Sequence, residues 1–239
     1  MKFSTILFDL DETLFDSYES IKVILKELLN DYDYCASDED LNKYIGINSV
    51  YWERFQNGEM DFNSLKIGRF RDYLCELNIN IKAEAFSTRF MARFKDAISL
   101  IDGASLLCLK LHQAGYKLYV ASNGEDSVQK RRINKAGLSS YFDGYFNSDV
   151  MGYCKPSVEY YNYIKERIHE KDPKRILMVG DSYSNDVEGA AKAGISGCWF
   201  YRKESLYNSV ISTIKRPPGS NLSFITVRSL RELYSILII

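Results

Sequence analysis

An apolar run from Phe3 to Phe8 drives directly into Asp9-Leu10-Asp11-Glu12-Thr13, and this junction constrains the chain more than any other segment. A continuous apolar run of that length reads as a buried strand. Its end then lies at the carboxyl edge of a sheet, where open α/β folds bind their ligands. Two carboxylates spaced by one residue can hold a hard cation there, and one of them can attack phosphorus. A strand followed by an acidic turn or a helix cap explains the same residues, because Asp and Thr favour both. The rest of the chain decides between these readings.

Two kinds of segment follow. Ile21, Ile24, Leu25, Leu28 and Leu29 recur at helical spacing, and further helical patterns run over 38–46, 49–57, 62–77 and 83–99. Asn57-Gly58 and Asn78 to Asn80 supply breaks between them. With no convincing strand in it, the stretch 17–98 reads as an all-helical insertion. From Ile101 onward, helices alternate with short apolar runs. Helices are expected over 106–114, 125–136, 156–169, 185–193 and 229–237, with stops at Gly115, Gly137 and Gly194. Strands are expected over 117–121, 142–147, 175–179, 197–200 and 224–227. That alternation implies an α/β fold with a mostly parallel, three-layer sheet. Residues 202–223 are poorly patterned, and Pro217-Pro218-Gly219 marks a loop.

Polar residues fall where the apolar runs end. Asp9 and Asp11, then Ser122, then Asp181 each follow an expected strand directly, and Lys155 stands before Pro156 at the start of a helix. In a parallel sheet these ends share one edge and can converge. Each has a plainer reading alone: Ser122-Asn123 as a helix cap, Lys155 as a solvated loop residue, Asp181 and Asp186 as groups flanking a helix. Coincidence of all four, in order, is harder to explain that way.

The order Asp9-x-Asp11-x-Thr13, Ser122-Asn123-Gly124, Lys155-Pro156 and Gly180-Asp181-x-x-x-x-Asp186 resembles the haloacid dehalogenase superfamily of phosphohydrolases. The resemblance covers essentially the whole chain. It implies a Rossmann-like core built from 1–16 and 99–239, a helical cap over 17–98, and a magnesium-dependent mechanism through an aspartyl-phosphate. Asp9 is then the nucleophile. Asp11 protonates the leaving oxygen and later activates water, while its backbone carbonyl binds the metal. Asp9, Asp11 and Asp181 make up the metal set, with Asp186 one shell further out or bound through water. Lys155 offsets charge, and Ser122, the backbone N–H groups of Asn123 and Gly124, and Thr13 serve the phosphate. Asp11 has to carry a proton for part of such a cycle, which crowding by Asp9, Asp181 and Asp186 favours and a bound metal opposes.

Within the superfamily, an aspartate at position 11 favours a phosphate ester over an organohalide, whose halide leaving group needs no proton. A sugar-phosphate phosphatase or a phosphosugar mutase uses the same two aspartates, and a non-catalytic relative that binds a phosphorylated ligand or a partner protein is a third class. Ile47-Asn48, Trp52, Phe55, Gly58 and Arg69-Phe70 resemble the cap of bacterial nucleotidases acting on pyrimidine 5′-monophosphates. Gln129 after the Ser122 motif and Trp199-Phe200 are similar to the same branch. Trp52 and Phe55 also lie at helical spacing, as helix-packing residues do. The chain departs from the branch in Ser122, where threonine is usual, and in Ser182-Tyr183-Ser184. The expected ligand is a small phosphorylated metabolite, a nucleoside monophosphate by this resemblance.

Composition narrows the partners. The 239 residues carry a net charge of -1, so no basic field advertises nucleic acid or an anionic membrane. The opening residues lack the pattern of a secretory signal, and no apolar run is long enough to span a bilayer. The 5 cysteines are scattered without a CxxC pair, as expected of reduced thiols in a cytoplasmic protein. A monomer or weak homodimer is expected, and His112 and His169 read as structural or surface residues.

Overall fold

The computed structural model describes residues 2–202 and 224–238. The chain divides into two compact units: Met1–Phe15 with Leu100–Ile239, and Asp16–Ser99. The first is an α/β unit. Among the described residues its strands are β1 (Thr5–Phe8), β2 (Lys117–Ser122), β3 (Gly144–Asn147), β4 (Ile176–Gly180), β5 (Ser196–Phe200) and β6 (Ile225–Val227). They form one sheet in the order β3-β2-β1-β4-β5-β6, with every pairing parallel. β1 pairs with β2 on one side and β4 on the other, so the strand order reverses at β1 and β4. A doubly wound sheet opens its ligand crevice at that point.

Strand periodicity sorts the apolar residues into two layers. Ile6, Phe8, Leu118, Val120, Leu177 and Val179 face one core, shared with Leu107, Cys108 and Leu111 of helix Ala104–Gln113 and with Leu230, Leu233 and Leu237 of helix Leu230–Leu237. Leu7, Tyr119, Ala121, Ile176 and Met178 face the other, against Tyr160, Tyr161 and Ile164 of helix Val158–Arg167. Burial on both faces is why these strands read as unbroken apolar runs instead of alternating ones.

The second unit is helical: α1 (Ser17–Asn30), α2 (Asp38–Gln56), α3 (Phe62–Glu76) and α4 (Ala83–Phe94). Asp16 caps α1, Ser37 and Asp40 form a reciprocal capping box on α2, and Asp61 caps α3. Its core holds Leu25, Leu28 and Leu29 of α1, Tyr44 of α2, Phe70 and Tyr73 of α3, and Phe86 and Phe90 of α4. Asp31, at the end of α1, pairs with Arg89 and Arg93 of α4 at 2.6 and 2.9 Å.

Two expectations are corrected. The segments 38–46 and 49–57 are one helix, α2, because Gly46 faces open space and Asn48 spends its side chain on Arg69 instead of competing for the helix backbone. The expected helix at 185–193 opens as a π-helical turn, Tyr183–Glu188, before a short α-helix, Gly189–Lys192. Gly115 and Gly137, expected as helix stops, have φ of 85° and 70°, which an L side chain rarely adopts. The Pro217-Pro218-Gly219 loop lies outside the described residues.

Candidate active site

The residues at the carboxyl edge are fixed by short turns between strand and helix. After β1, the chain closes tightly: Glu12 N–H reaches Phe15 O at 2.8 Å, and Leu14 and Phe15 N–H both reach Leu10 O at 2.9 Å. Glu12 takes φ 60°, a region uncommon outside glycine. This turn brings Thr13 back to the strand end, where its hydroxyl lies 3.3 Å from Asp9 Oδ2 and accepts Asp181 N–H at 3.1 Å. Thr13 thus joins the ends of β1 and β4, and its hydroxyl hydrogen goes to Asp9.

The ends of β2 and the 155 loop are clamped together. Asn123 donates its amide to Lys155 O at 2.9 Å and accepts Lys155 N–H at 2.8 Å. With that backbone fixed, the Lys155 ammonium, only 3% exposed, lies 2.6 Å from Asp9 Oδ1 and 2.7 Å from Asp186 Oδ1. Burial alone lowers a lysine pKa, but Asp186 and Asp9 outweigh it and hold Lys155 well above its usual value. It is a permanent cation in this site. Ser122, at the end of β2, accepts Gly124 N–H at 3.0 Å.

Carboxylates supply the opposing charge. Asp186 is buried, its second oxygen accepting Ser182 N–H at 3.1 Å. It folds so closely under the end of β4 that a Cβ at Gly180 would stand 2.1 Å from its Oδ2. Burial raises Asp9 to about 7; Lys155 opposes the rise, while Asp186 and Asp11 add to it. Asp181 is held well above the carboxylate range by burial first, then by Asp9 and Asp186. Oxygens of Asp9, Asp181 and Asp186 all lie within 4.8 Å of one another. An all-oxygen set whose members repel one another fits a hard divalent cation such as magnesium. Asp186 and Asp9 each have both oxygens on protein partners, Asp186 on Lys155 and Ser182 and Asp9 on Lys155 and Thr13.

Three residues beyond those expected from the strand ends reach the site. Arg132 places its guanidinium 2.6 Å from Asp11 Oδ1, so the anticipated crowding of Asp11 by carboxylates is accompanied by a cation. Gln129 donates to Asp11 Oδ2 at 2.7 Å and to Ser122 Oγ at 3.1 Å. Trp199 donates its indole N–H to Asp181 O at 2.8 Å. A sequence signal for Arg132 exists: it shares the buried stripe of its helix with Val128, Gln129 and Ile133. In the helical unit, Trp52 and Phe55 pack with Phe62, ring centroids 5.6–6.1 Å apart, as the helix-packing reading expects. His112 and His169 are exposed.

Fold, strand order and motif placement define a hydrolase of the haloacid dehalogenase class, and the model of the haloacid dehalogenase-like hydrolase family matches residues 3–194. The chain belongs to that family. Among its relatives, the pyrimidine 5′-nucleotidase YjjG of Escherichia coli is 30% identical over 239 residues, covering 99% of both chains. The pyrimidine 5′-nucleotidase PynA of Streptococcus pneumoniae is 27% identical over 200 residues, 84% of each. The HAD-hydrolase YfnB of Bacillus subtilis is 29% identical over 236 residues, 99% of this chain and 96% of the relative. A crystal structure of YfnB bound to magnesium superposes with a TM-score of 0.87 over 100% of both chains.

Proposed function

We propose that this chain is a magnesium-dependent phosphomonoesterase that works through an aspartyl-phosphate and acts on nucleoside 5′-monophosphates, pyrimidine nucleotides foremost. The observation that carries this reading is the meeting of Asp9, Lys155, Asp181 and Asp186 where the strand order reverses. The two pyrimidine nucleotidases among the relatives support the substrate class.

Asp9 attacks phosphorus as the ester P–O bond breaks, and Asp11 gives its proton to the departing oxygen. Asp11 then takes a proton from water, whose oxygen bonds phosphorus while the Asp9–phosphorus bond breaks, returning Asp9 as a carboxylate and releasing inorganic phosphate. Lys155 stays charged throughout and offsets the negative charge that attacker and phosphoryl group share. Ser122 Oγ and the backbone of Asn123 and Gly124 line the phosphate side. Asp9, Asp181 and the Asp11 carbonyl, with Asp186 behind, would hold a divalent cation, which when bound would supply charge neutralisation and in-line alignment. A cytoplasmic setting accompanies this reading, supported by the free thiols at Cys35, Cys75, Cys108, Cys154 and Cys198.

The test is a panel of nucleoside 5′-monophosphates, sugar phosphates and p-nitrophenyl phosphate, assayed for inorganic phosphate with and without magnesium. The expected result is metal-dependent release, fastest with the pyrimidine nucleotides. Preference for sugar phosphates overturns the substrate class, and isomerisation without phosphate release identifies a mutase instead.

A further inference from the structure

We propose that Arg132 and Gln129 form a positioning device for Asp11, fixing the direction of the carboxyl group that exchanges protons with leaving group and water. This inference rests on the phosphomonoesterase reading above.

Both Asp11 oxygens are addressed, and by different residues: Oδ1 by Arg132 at 2.6 Å and Oδ2 by Gln129 at 2.7 Å. Two contacts on one carboxylate fix its rotation as well as its place, which a single contact does not. The holders are themselves held. Gln129 Oε1 accepts from Arg132 at 3.1 Å, tying the pair together one turn apart on helix Asp126–Lys135. The Arg132 guanidinium lies over the Phe15 ring, 4.4 Å from its centroid. Phe15 closes the same turn that carries Asp11, and the two residues are bridged through the backbone. The device therefore grips the turn at both ends.

It also reaches the phosphate side, because the Gln129 amide that holds Asp11 holds Ser122 Oγ as well. Gly124 makes room for it: a Cβ there would stand 2.3 Å from Gln129 Nε2. Proton donor and phosphate cradle are so placed in register by one amide group.

Energetics favour positioning over bare stability. The Arg132 side chain is fully buried, whereas Asp11 keeps 38% of its side chain exposed. Burying a guanidinium to meet a carboxylate stabilises a fold no better, as a rule, than a well-packed apolar side chain of like volume. What the apolar side chain lacks is direction. General acid–base transfer depends on hydrogen-bond reach and alignment, and contributes about 10²–10⁴-fold in rate.

The test compares wild type with R132M, R132K and Q129L on two esters: a pyrimidine nucleoside monophosphate, whose alkoxide needs a proton to leave, and p-nitrophenyl phosphate, whose phenolate does not. In R132M, the aryl ester should still phosphorylate Asp9 at near the wild-type rate while hydrolysis of the aspartyl-phosphate slows. The trace then shows a burst of p-nitrophenolate equal to the enzyme, followed by turnover slower by about tenfold to a hundredfold. On the nucleotide, kcat falls without a burst and KM holds. R132K should recover part of the loss. Q129L should show the same pattern more weakly, and it carries the test if R132M does not fold. Wild-type kinetics in both Q129L and R132M overturn the proposal, as does equal loss of burst and turnover with KM raised on both esters. Wild type that releases no phosphate from either ester overturns the phosphomonoesterase reading instead.

Discussion

The Lys155 ammonium stands 2.6 Å from Asp9 Oδ1, a buried cation held against the residue proposed to attack phosphorus. Lys155→Met would leave Asp9 and Asp186 facing each other without that charge. Breaking a buried pair from one side costs about 3–5 kcal/mol. If Lys155 faces the phosphoryl group as proposed, loss of its charge should remove at least about 10²-fold in kcat. Urea unfolding and phosphate release should both register the change, and a variant keeping more than half the wild-type rate would contradict the assignment.

At the proposed metal site, a cation and protons would compete for the same oxygens. An unfolded aspartate loses its proton near pH ~3.9. In the folded, metal-free protein, Asp9 holds its proton up to about pH 7 and Asp181 is shifted the same way, in both cases chiefly through burial. Across that window the folded state binds more protons than the unfolded one, so metal-free stability falls as pH rises. A divalent cation bound at these oxygens would replace those protons, and its stabilising effect should grow with pH. The rise in melting temperature on adding millimolar magnesium should be larger at about pH 8 than at about pH 5.5. Equal shifts would count against these carboxylates as the metal site.

The legible part of this molecule follows from periodicity and from chain order. Strands buried on both faces, such as Thr5–Phe8 and Ile176–Gly180, show as apolar runs, and the polar residue after each run marks the sheet edge. Parallel topology then makes Asp9, Ser122 and Asp181 neighbours without further information. Arg132, Gln129 and Trp199 escaped assignment to the site because helical spacing marks Arg132 and Gln129 only as lying on a buried stripe, and the partner of each, like the cross-strand placement of Trp199, is not written in local spacing. The division of α2 into 38–46 and 49–57 erred differently: one interior glycine, at a cost of about 1 kcal/mol, does not end a helix that a capping box and buried contacts hold on either side.

Trp199 tests the support behind the carboxylates. Its indole N–H holds the Asp181 carbonyl at 2.8 Å, while its ring packs against Tyr183 and Tyr201, centroids 5.3 and 5.0 Å away. Trp199→Phe keeps most of that packing and deletes the donor. Outer-shell partners of this kind govern about 10–100-fold in metal affinity. The magnesium concentration giving half-maximal activity should rise by about tenfold with kcat at saturation little changed, and an unchanged metal requirement would refute the role.

The thiols offer a check on packing alone. Burial pushes Cys108 and Cys198 up to about 12 and raises Cys154 as well, whereas Cys35 and Cys75 are exposed. Only the thiolate reacts with a disulfide reagent. Titration of the native protein should give two fast equivalents, from Cys35 and Cys75, and all 5 cysteines should respond after denaturation. Fast reaction of Cys108 or Cys198 in the native state would show that the core over the sheet is looser than its packing implies.

Two glycine-to-alanine changes should act in opposite directions. At Gly180 an added Cβ would stand 2.1 Å from Asp186 Oδ2 and 2.2 Å from its Cγ, so the carboxylate has to leave its place against Lys155 and Ser182. Overpacking of that kind costs about 1–3 kcal/mol, and displacing Asp186 should depress phosphate release with it. Gly46 lies inside α2 with nothing within 4 Å of its added Cβ. There alanine removes backbone freedom from the unfolded chain and leaves every contact intact, a gain of about 0.5–1 kcal/mol. Thermal melts with parallel activity assays separate the cases: Gly46→Ala should melt higher with normal turnover, and Gly180→Ala should melt lower with turnover impaired. Normal turnover in Gly180→Ala would mean that Asp186 need not sit beside Lys155 for the reaction to run.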